Sequence, residues 1–127
     1  MTELQKIMLV EDEPDIQAVA KLALEAVGGF SLQVCASGQE ALTQAPLSLP
    51  DLILLDVMMP GMDGPTTLKH LRTLEAVRQI PVIFMTAKVQ PAEVVYYQEI
   101  GAIGVIPKPF DPMTLSDQVR TLWKENT

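Results

Sequence analysis

The sequence is short of the residues on which several function classes depend. It has one cysteine, Cys35, so no internal disulfide forms and a zinc site of clustered cysteines is excluded. That usage fits a reducing cytoplasm, the expected location. The one histidine, His70, sits between Lys69 and Leu71 on a predicted helix and reads as a solvated position. Basic residues are scarce: 9 Lys and Arg stand against 16 Asp and Glu, a net charge of −7. The chain lacks the clustered cations that nucleic acid or an anionic membrane requires, so no direct nucleic-acid binding is expected. No apolar run approaches the ~18 residues of a membrane span, and no membrane insertion is expected. The opening Met1–Lys6 has no basic segment leading into an apolar one, so it is not a secretory signal. Repeats, linkers and low-complexity segments are also missing.

What is present is a 127-residue chain, 48% apolar and 20% charged, which implies a single domain over 1–127 with a core of its own. Short apolar runs alternate with amphipathic stretches. Ile7-Met8-Leu9-Val10 is a strand, and Pro14 opens a helix with Ile16, Val19, Ala20, Ala23 and Val27 inward, stopped by Gly28-Gly29. Leu32 to Ala36 is a second strand, with Leu32, Val34 and Ala36 alternating against more solvent-directed residues. Ser37 and Glu40 have capping-box spacing for a short helix, and Pro46 and Pro50 bracket a loop. Leu52-Ile53-Leu54-Leu55 is a third strand, followed by a turn-rich segment and a helix from about Pro65. Val82 to Met85 is a fourth strand, and Pro91 opens a fourth helix. Gly104-Val105-Ile106 is a fifth strand. Asp111 as N-cap and Pro112 open the last helix, with Leu115, Val119, Leu122 and Trp123 as its stripe.

This (βα)5 alternation predicts an α/β fold with a parallel sheet covered by helices on both faces. Strands one, three and four are continuously apolar, as interior strands are. Strand two alternates, and strand five ends in Pro107, which cannot donate to a ladder. The order 2-1-3-4-5 follows, the flavodoxin-like arrangement.

Ligands of such a sheet lie beyond the carboxyl ends of the strands. There the sequence places Glu11 and Asp12 after strand one, Asp56 after strand three, Thr86 after strand four and Lys108 after strand five. Three converging carboxylates need a counter-charge, and Mg²⁺ with oxygen ligands supplies one. A carboxylate is also a nucleophile toward phosphorus. Lys108, the Thr86 hydroxyl and the backbone N–H of Ala87 are donors for phosphoryl oxygens.

The chain resembles the receiver domain of two-component response regulators over essentially its whole length. The residues that carry the resemblance are Glu11-Asp12, the run Leu54-Leu55-Asp56-Val57-Met58-Met59-Pro60-Gly61-Met62-Asp63-Gly64, Met85-Thr86-Ala87, Gly101-Ala102 and Lys108-Pro109-Phe110. The resemblance implies a signalling switch, not a metabolic enzyme. It implies that Asp56 accepts a phosphoryl group from a sensor histidine kinase or histidine phosphotransfer protein. By the same resemblance Glu11, Asp12, Asp56 and the backbone carbonyl of Met58 are expected to hold Mg²⁺, Lys108 to contact the phosphoryl group, and Thr86 to move toward it. The Lys108-Pro109 bond is expected to be cis, and a downstream target protein is expected to read the result.

Two departures stand out. Relatives usually carry Tyr or Phe where Val105 stands, and a small residue where Pro107 stands. Without that aromatic, strand five is expected to change little on phosphorylation. The output then runs through Ala87 to Pro91 and the fourth helix with Tyr96 and Tyr97, a pair placed toward the surface. Two other readings compete. A receiver-like interaction module that is never phosphorylated is opposed by the complete set Asp12, Asp56, Thr86 and Lys108. A phosphatase of the haloacid dehalogenase type looks for a second Asp two residues after its nucleophile, where this chain has Met58.

Overall fold

The computed structural model describes residues 3–126; Met1, Thr2 and Thr127, which the predicted domain includes, lie outside the described residues. Five strands, β1 (Lys6–Val10), β2 (Ser31–Cys35), β3 (Leu52–Asp56), β4 (Val82–Thr86) and β5 (Gly104–Pro107), form one parallel sheet in the order 2-1-3-4-5. Between them run α1 (Pro14–Lys21), α2 (Gly38–Ser48), α3 (Gly64–Thr73) and α4 (Pro91–Glu99), and α5 (Leu115–Glu125) closes the fold.

Side chains alternate across a strand, and here each face meets its own set of helices. Met8, Val10, Ile53, Leu55, Val82 and Phe84 pack with Ala41 and Ala45 of α2, Leu68 and Leu71 of α3 and Tyr97 of α4. Ile7, Leu9, Leu52, Leu54, Ile83 and Met85 pack with Ala20 of α1 and Leu115 and Val119 of α5. All five residues of β3 and of β4 are buried, which is why their sequences read as unbroken apolar runs. Each such Leu or Ile contributes roughly 1.5–3 kcal/mol of burial. The carboxyl ends of the central strands are thereby held against a rigid core.

The structure corrects four details. Helix α1 continues as a π-helical turn, Leu22–Val27, closed by the Gly28 N–H on the Ala23 carbonyl at 3.1 Å. The wider turn shifts the angular positions of its side chains, and Leu24 enters the core while Val27 is exposed; Val19, in α1 ahead of the turn, is exposed as well. Pro46 lies inside α2, not in a loop. It withholds an N–H from the Leu42 carbonyl, but it stands in the last turn, where Leu49 N–H still reaches Ala45 O at 2.9 Å. In β2 it is Cys35 that is fully buried and Ala36 that is exposed, because α2 covers the second face of this edge strand. Helix α5 starts at Leu115, not Pro112: the Asp111 carboxylate accepts from Met113 N–H at 2.8 Å and forms a turn ahead of the helix.

Candidate functional site

The polar residues predicted at the strand ends do meet at one rim. Glu11 follows β1 and is tied to the end of β2 by its N–H on Cys35 O, 3.0 Å. Its side chain is fully buried, so its charge requires partners. One carboxylate oxygen accepts from Lys108 Nζ at 2.9 Å and the other from Glu13 N–H at 3.1 Å. Asp12 beside it is half-buried.

Asp56 is the last residue of β3 and is 3% exposed. Its Oδ1 lies 3.1 Å from Lys108 Nζ. The loop after it is cinched by Val57 N–H on Met85 O at 3.0 Å and Gly64 N–H on Val57 O at 2.8 Å. Gly64 is required there, since a Cβ would fall 2.5 Å from the Asp56 carbonyl oxygen. Asp63 then caps α3, accepting from Thr66 N–H at 2.8 Å. The Met58 side chain points to solvent, 66% exposed.

Lys108 is aimed inward by the turn after β5. Its N–H bonds Thr86 O at 2.9 Å and its peptide bond to Pro109 is cis, as the resemblance implied. Thr86 ends β4, 3% exposed, and its hydroxyl accepts from Lys88 N–H at 3.0 Å. Ala87 is exposed, and with Lys108, Pro109, Phe110, Asp15, Ile16 and Val19 it lines an apolar groove beside the site.

Carboxylate oxygens of Glu11, Asp12 and Asp56 lie within 4.8 Å of one another. At that separation each pair of unit charges repels by about 3–4 kcal/mol for an effective dielectric near 20. One ammonium does not balance three carboxylates. Burial, then repulsion from Glu11, raises Asp56 to about 6, although Lys108 and the Met58 N–H pull the other way. Burial alone would lower the Lys108 ammonium. Its bonds to Glu11 and Asp56 outweigh that, and its pKa is raised. Hard oxygen donors in this number, with excess negative charge, suit a small divalent cation.

Two features escaped the sequence reading. The direct Glu11–Lys108 ion pair joins residues at opposite ends of the chain and has no local signal. Tyr97, placed toward the surface with Tyr96, is instead buried and packs on Phe84, with ring centroids 5.1 Å apart; only Tyr96 is exposed. Adjacent helix residues diverge by about 100°, so the pair had to split, and contact with Phe84 decides which one turns inward.

A family model described as the response regulator receiver domain matches residues 7–120. The DNA-binding response regulator MtrA of Mycobacterium tuberculosis is 36% identical over 122 residues, 96% of this chain and 52% of that protein. Response regulator Rre1 of Synechocystis is 34% identical over 122 residues, 96% of this chain and 53% of that protein. The chain thus spans about half the length of these curated relatives. Among solved structures, chemotaxis protein CheY4 of Vibrio cholerae superposes with a TM-score of 0.86 at 28% identity, covering 94% of this chain and 99% of that one. A putative response regulator from Chloroflexus aurantiacus gives 0.85 at 30% identity, with 96% and 99% covered.

Proposed function

The chain belongs to the response regulator receiver domain family, and from that premise we propose that it is a phosphorylatable switch whose phosphoacceptor is Asp56. The observation that carries the reading is the position of Asp56: at the end of a buried central strand, 3.1 Å from Lys108, in one carboxylate cluster with Glu11 and Asp12. An Asp56 oxygen attacks phosphorus of a phosphohistidine on a histidine kinase or phosphotransfer protein. The P–N bond breaks, the imidazole leaves with a proton, and an acyl phosphate forms on Asp56. Lys108 neutralises one phosphoryl oxygen, and the Ala87 N–H and the Thr86 hydroxyl donate to others. Glu11, Asp12, Asp56 and the Met58 carbonyl would hold Mg²⁺. Bound there, such an ion would supply positive charge against the mutual repulsion of carboxylate and phosphoryl oxygens.

The product is a change of protein contacts, not a released metabolite. A receiver with net charge −7 acts on a downstream protein rather than on nucleic acid by itself. No helix among the described residues is long and apolar enough to cross a membrane, in keeping with a cytoplasmic partner. Treatment with acetyl phosphate and Mg²⁺, followed by mass mapping, tests the assignment. Modification at Asp56 that is lost in Asp56→Asn and abolished by EDTA is the expected result. Labelling that survives in Asp56→Asn refutes the site, and the absence of any labelling, even from kinases, would leave an interaction module in its place.

A further inference from the structure

Asp12 is the carboxylate of the cluster that no side chain fixes. Glu11 bonds Lys108 and the Glu13 N–H, and Asp56 bonds Lys108. Among the described residues the half-buried Asp12 side chain has neither a hydrogen bond nor an ion pair. Yet its oxygen lies within 4.8 Å of those of Glu11 and Asp56. Its place is therefore set by the backbone on either side of it, and Gln17, half-buried on α1, holds both sides. The Gln17 Nε2 donates to the Glu11 carbonyl at 2.6 Å, and its main-chain N–H donates to the Glu13 carbonyl at 3.0 Å. The Glu11 carbonyl belongs to the peptide unit that ends at the Asp12 Cα, and that unit is planar. The Glu11 N–H is already tied to Cys35 O. Anchoring the carbonyl as well fixes the torsions between the two, and with them the direction in which Asp12 leaves the strand. No side chain caps α1 at Glu13, so among the described residues the Gln17 amide is the side-chain hydrogen bond that ties this helix to the acidic loop.

We propose that Gln17 is a positioning residue for a divalent cation: by orienting the Glu11–Asp12 peptide it keeps the Asp12 carboxylate beside those of Glu11 and Asp56. The role rests on the reading of this cluster as the Mg²⁺ site of a phosphoacceptor. The neighbouring carboxylates repel Asp12, so a loosened loop carries it away from them, and binding a cation must then spend free energy to bring it back. Partners that orient a metal ligand without touching the metal act in this way. The task suits a long neutral donor. Gln17→Glu would set acceptor against acceptor at the Glu11 carbonyl, and Gln17→Lys would bring a donor but add charge that opposes the ion. The amide supplies the bond and leaves the charge of the site unaltered.

The test uses the full chain with Mn²⁺ as a spectroscopic stand-in for Mg²⁺. Electron paramagnetic resonance counts the free Mn²⁺, and competition gives the Mg²⁺ affinity. Gln17→Met keeps the length of the side chain and removes the donor. It is expected to bind both ions about three- to tenfold more weakly, the scale of one hydrogen bond. Gln17→Asn keeps the amide but stops one methylene short, and should lose affinity in the same measure. In an Asp12→Asn background, which binds more weakly at the outset, Gln17→Met should cost nothing further, because the ligand it places is gone. NMR in EDTA reports the peptide itself: Gln17→Met should shift the Glu11 carbonyl carbon and the Asp12 amide nitrogen, and unmoved resonances would overturn the proposal. Urea denaturation in EDTA measures stability separately. A purely structural role would lower the midpoint and leave the cation affinity of the folded protein unchanged, which would also overturn the proposal, as would an equal loss of affinity in the Asp12→Asn background. A wild-type chain that binds neither ion removes the cation site itself, and this role with it; one that binds both and is indifferent to Gln17→Met refutes the positioning role alone.

Discussion

Replacing Asp56 by Asn should make the metal-free protein more stable at neutral pH. Asp56 is buried beside Glu11, and its carboxyl is raised from 3.8 to about 6. In the unfolded chain it titrates near its ordinary value, roughly 3.9. Below about pH 4 both states hold the proton, and the native state has its full stability from this group. As the pH rises from about 4 to about 6, the unfolded chain releases its proton first and the native state loses that stability; above about 6 the loss is complete. The interval from 3.8 to about 6 corresponds to at most about 3 kcal/mol, at about 1.4 kcal/mol per pH unit. Asn has no proton to lose and escapes the penalty, but Lys108 forfeits one of its two carboxylate partners. The expected gain is therefore about 1–3 kcal/mol at about pH 7 and about 0.5 kcal/mol or less at about pH 4. Urea denaturation in EDTA at the two pH values measures both. A gain equal at both, or a loss at neutral pH, would refute the claim that Asp56 is held as a strained carboxylate. Excess Mg²⁺ should favour the wild type, since a ligand that binds only the native state stabilises it by about 2.7 kcal/mol at a hundred times its Kd.

The same geometry sets three further outcomes. Lys108→Met strands the fully buried Glu11 and should lower stability at neutral pH by about 3 kcal/mol; adding Glu11→Gln should restore at least half, and a double variant no better than the single would speak against the pairing. Gly64→Ala places a Cβ 2.5 Å from Asp56 O and 2.8 Å from Val57 Cα. It should cost about 1–3 kcal/mol and slow acetyl phosphate labelling, and wild-type behaviour on both measures would contradict the close approach. Ser37→Ala removes the oxygen that accepts from Glu40 N–H at 3.1 Å and should cost about 1 kcal/mol in the same titration; no measurable change would show that the cap contributes nothing.

The order of the sheet was legible because burial on two faces leaves an unambiguous mark. Runs such as Leu52 to Leu55 cannot alternate when helices cover both sides, and Pro107 restricts its strand to an edge or an end. The misread details depend on packing from outside the segment. Nothing local marks the π-helical turn at Leu22–Val27, whose effect is to swing Leu24 rather than Val27 under the sheet. The tie that holds Gly28 comes from α5, where Arg120 donates to its carbonyl and packs over Phe30. Pro46 is a helix breaker by composition, yet α2 runs through it because only one hydrogen bond is forgone there and Ala41 and Ala45 remain buried.

At the site, legibility stopped at the residue types and their strand ends. In a parallel sheet those ends share one rim, so Glu11, Asp12, Asp56, Thr86 and Lys108 could be assembled without coordinates. Which of them touch was a different matter. Lys108 bridges Glu11 and Asp56 because the turn after β5 is pinned to Thr86 O, a contact no periodicity encodes. The rotation of α4 was equally hidden. Its sequence PAEVVYYQE has no continuous apolar stripe: Val95 and Tyr96 are exposed, and Tyr97 alone is fully inside. A helix with a broad apolar face resists rotation because many side chains would have to leave the core together. A helix seated chiefly by one ring, Tyr97 on Phe84, has no such restraint. The weak patterning that obscured the orientation of α4 is thus also what allows the helix to reorient with few side chains leaving the core.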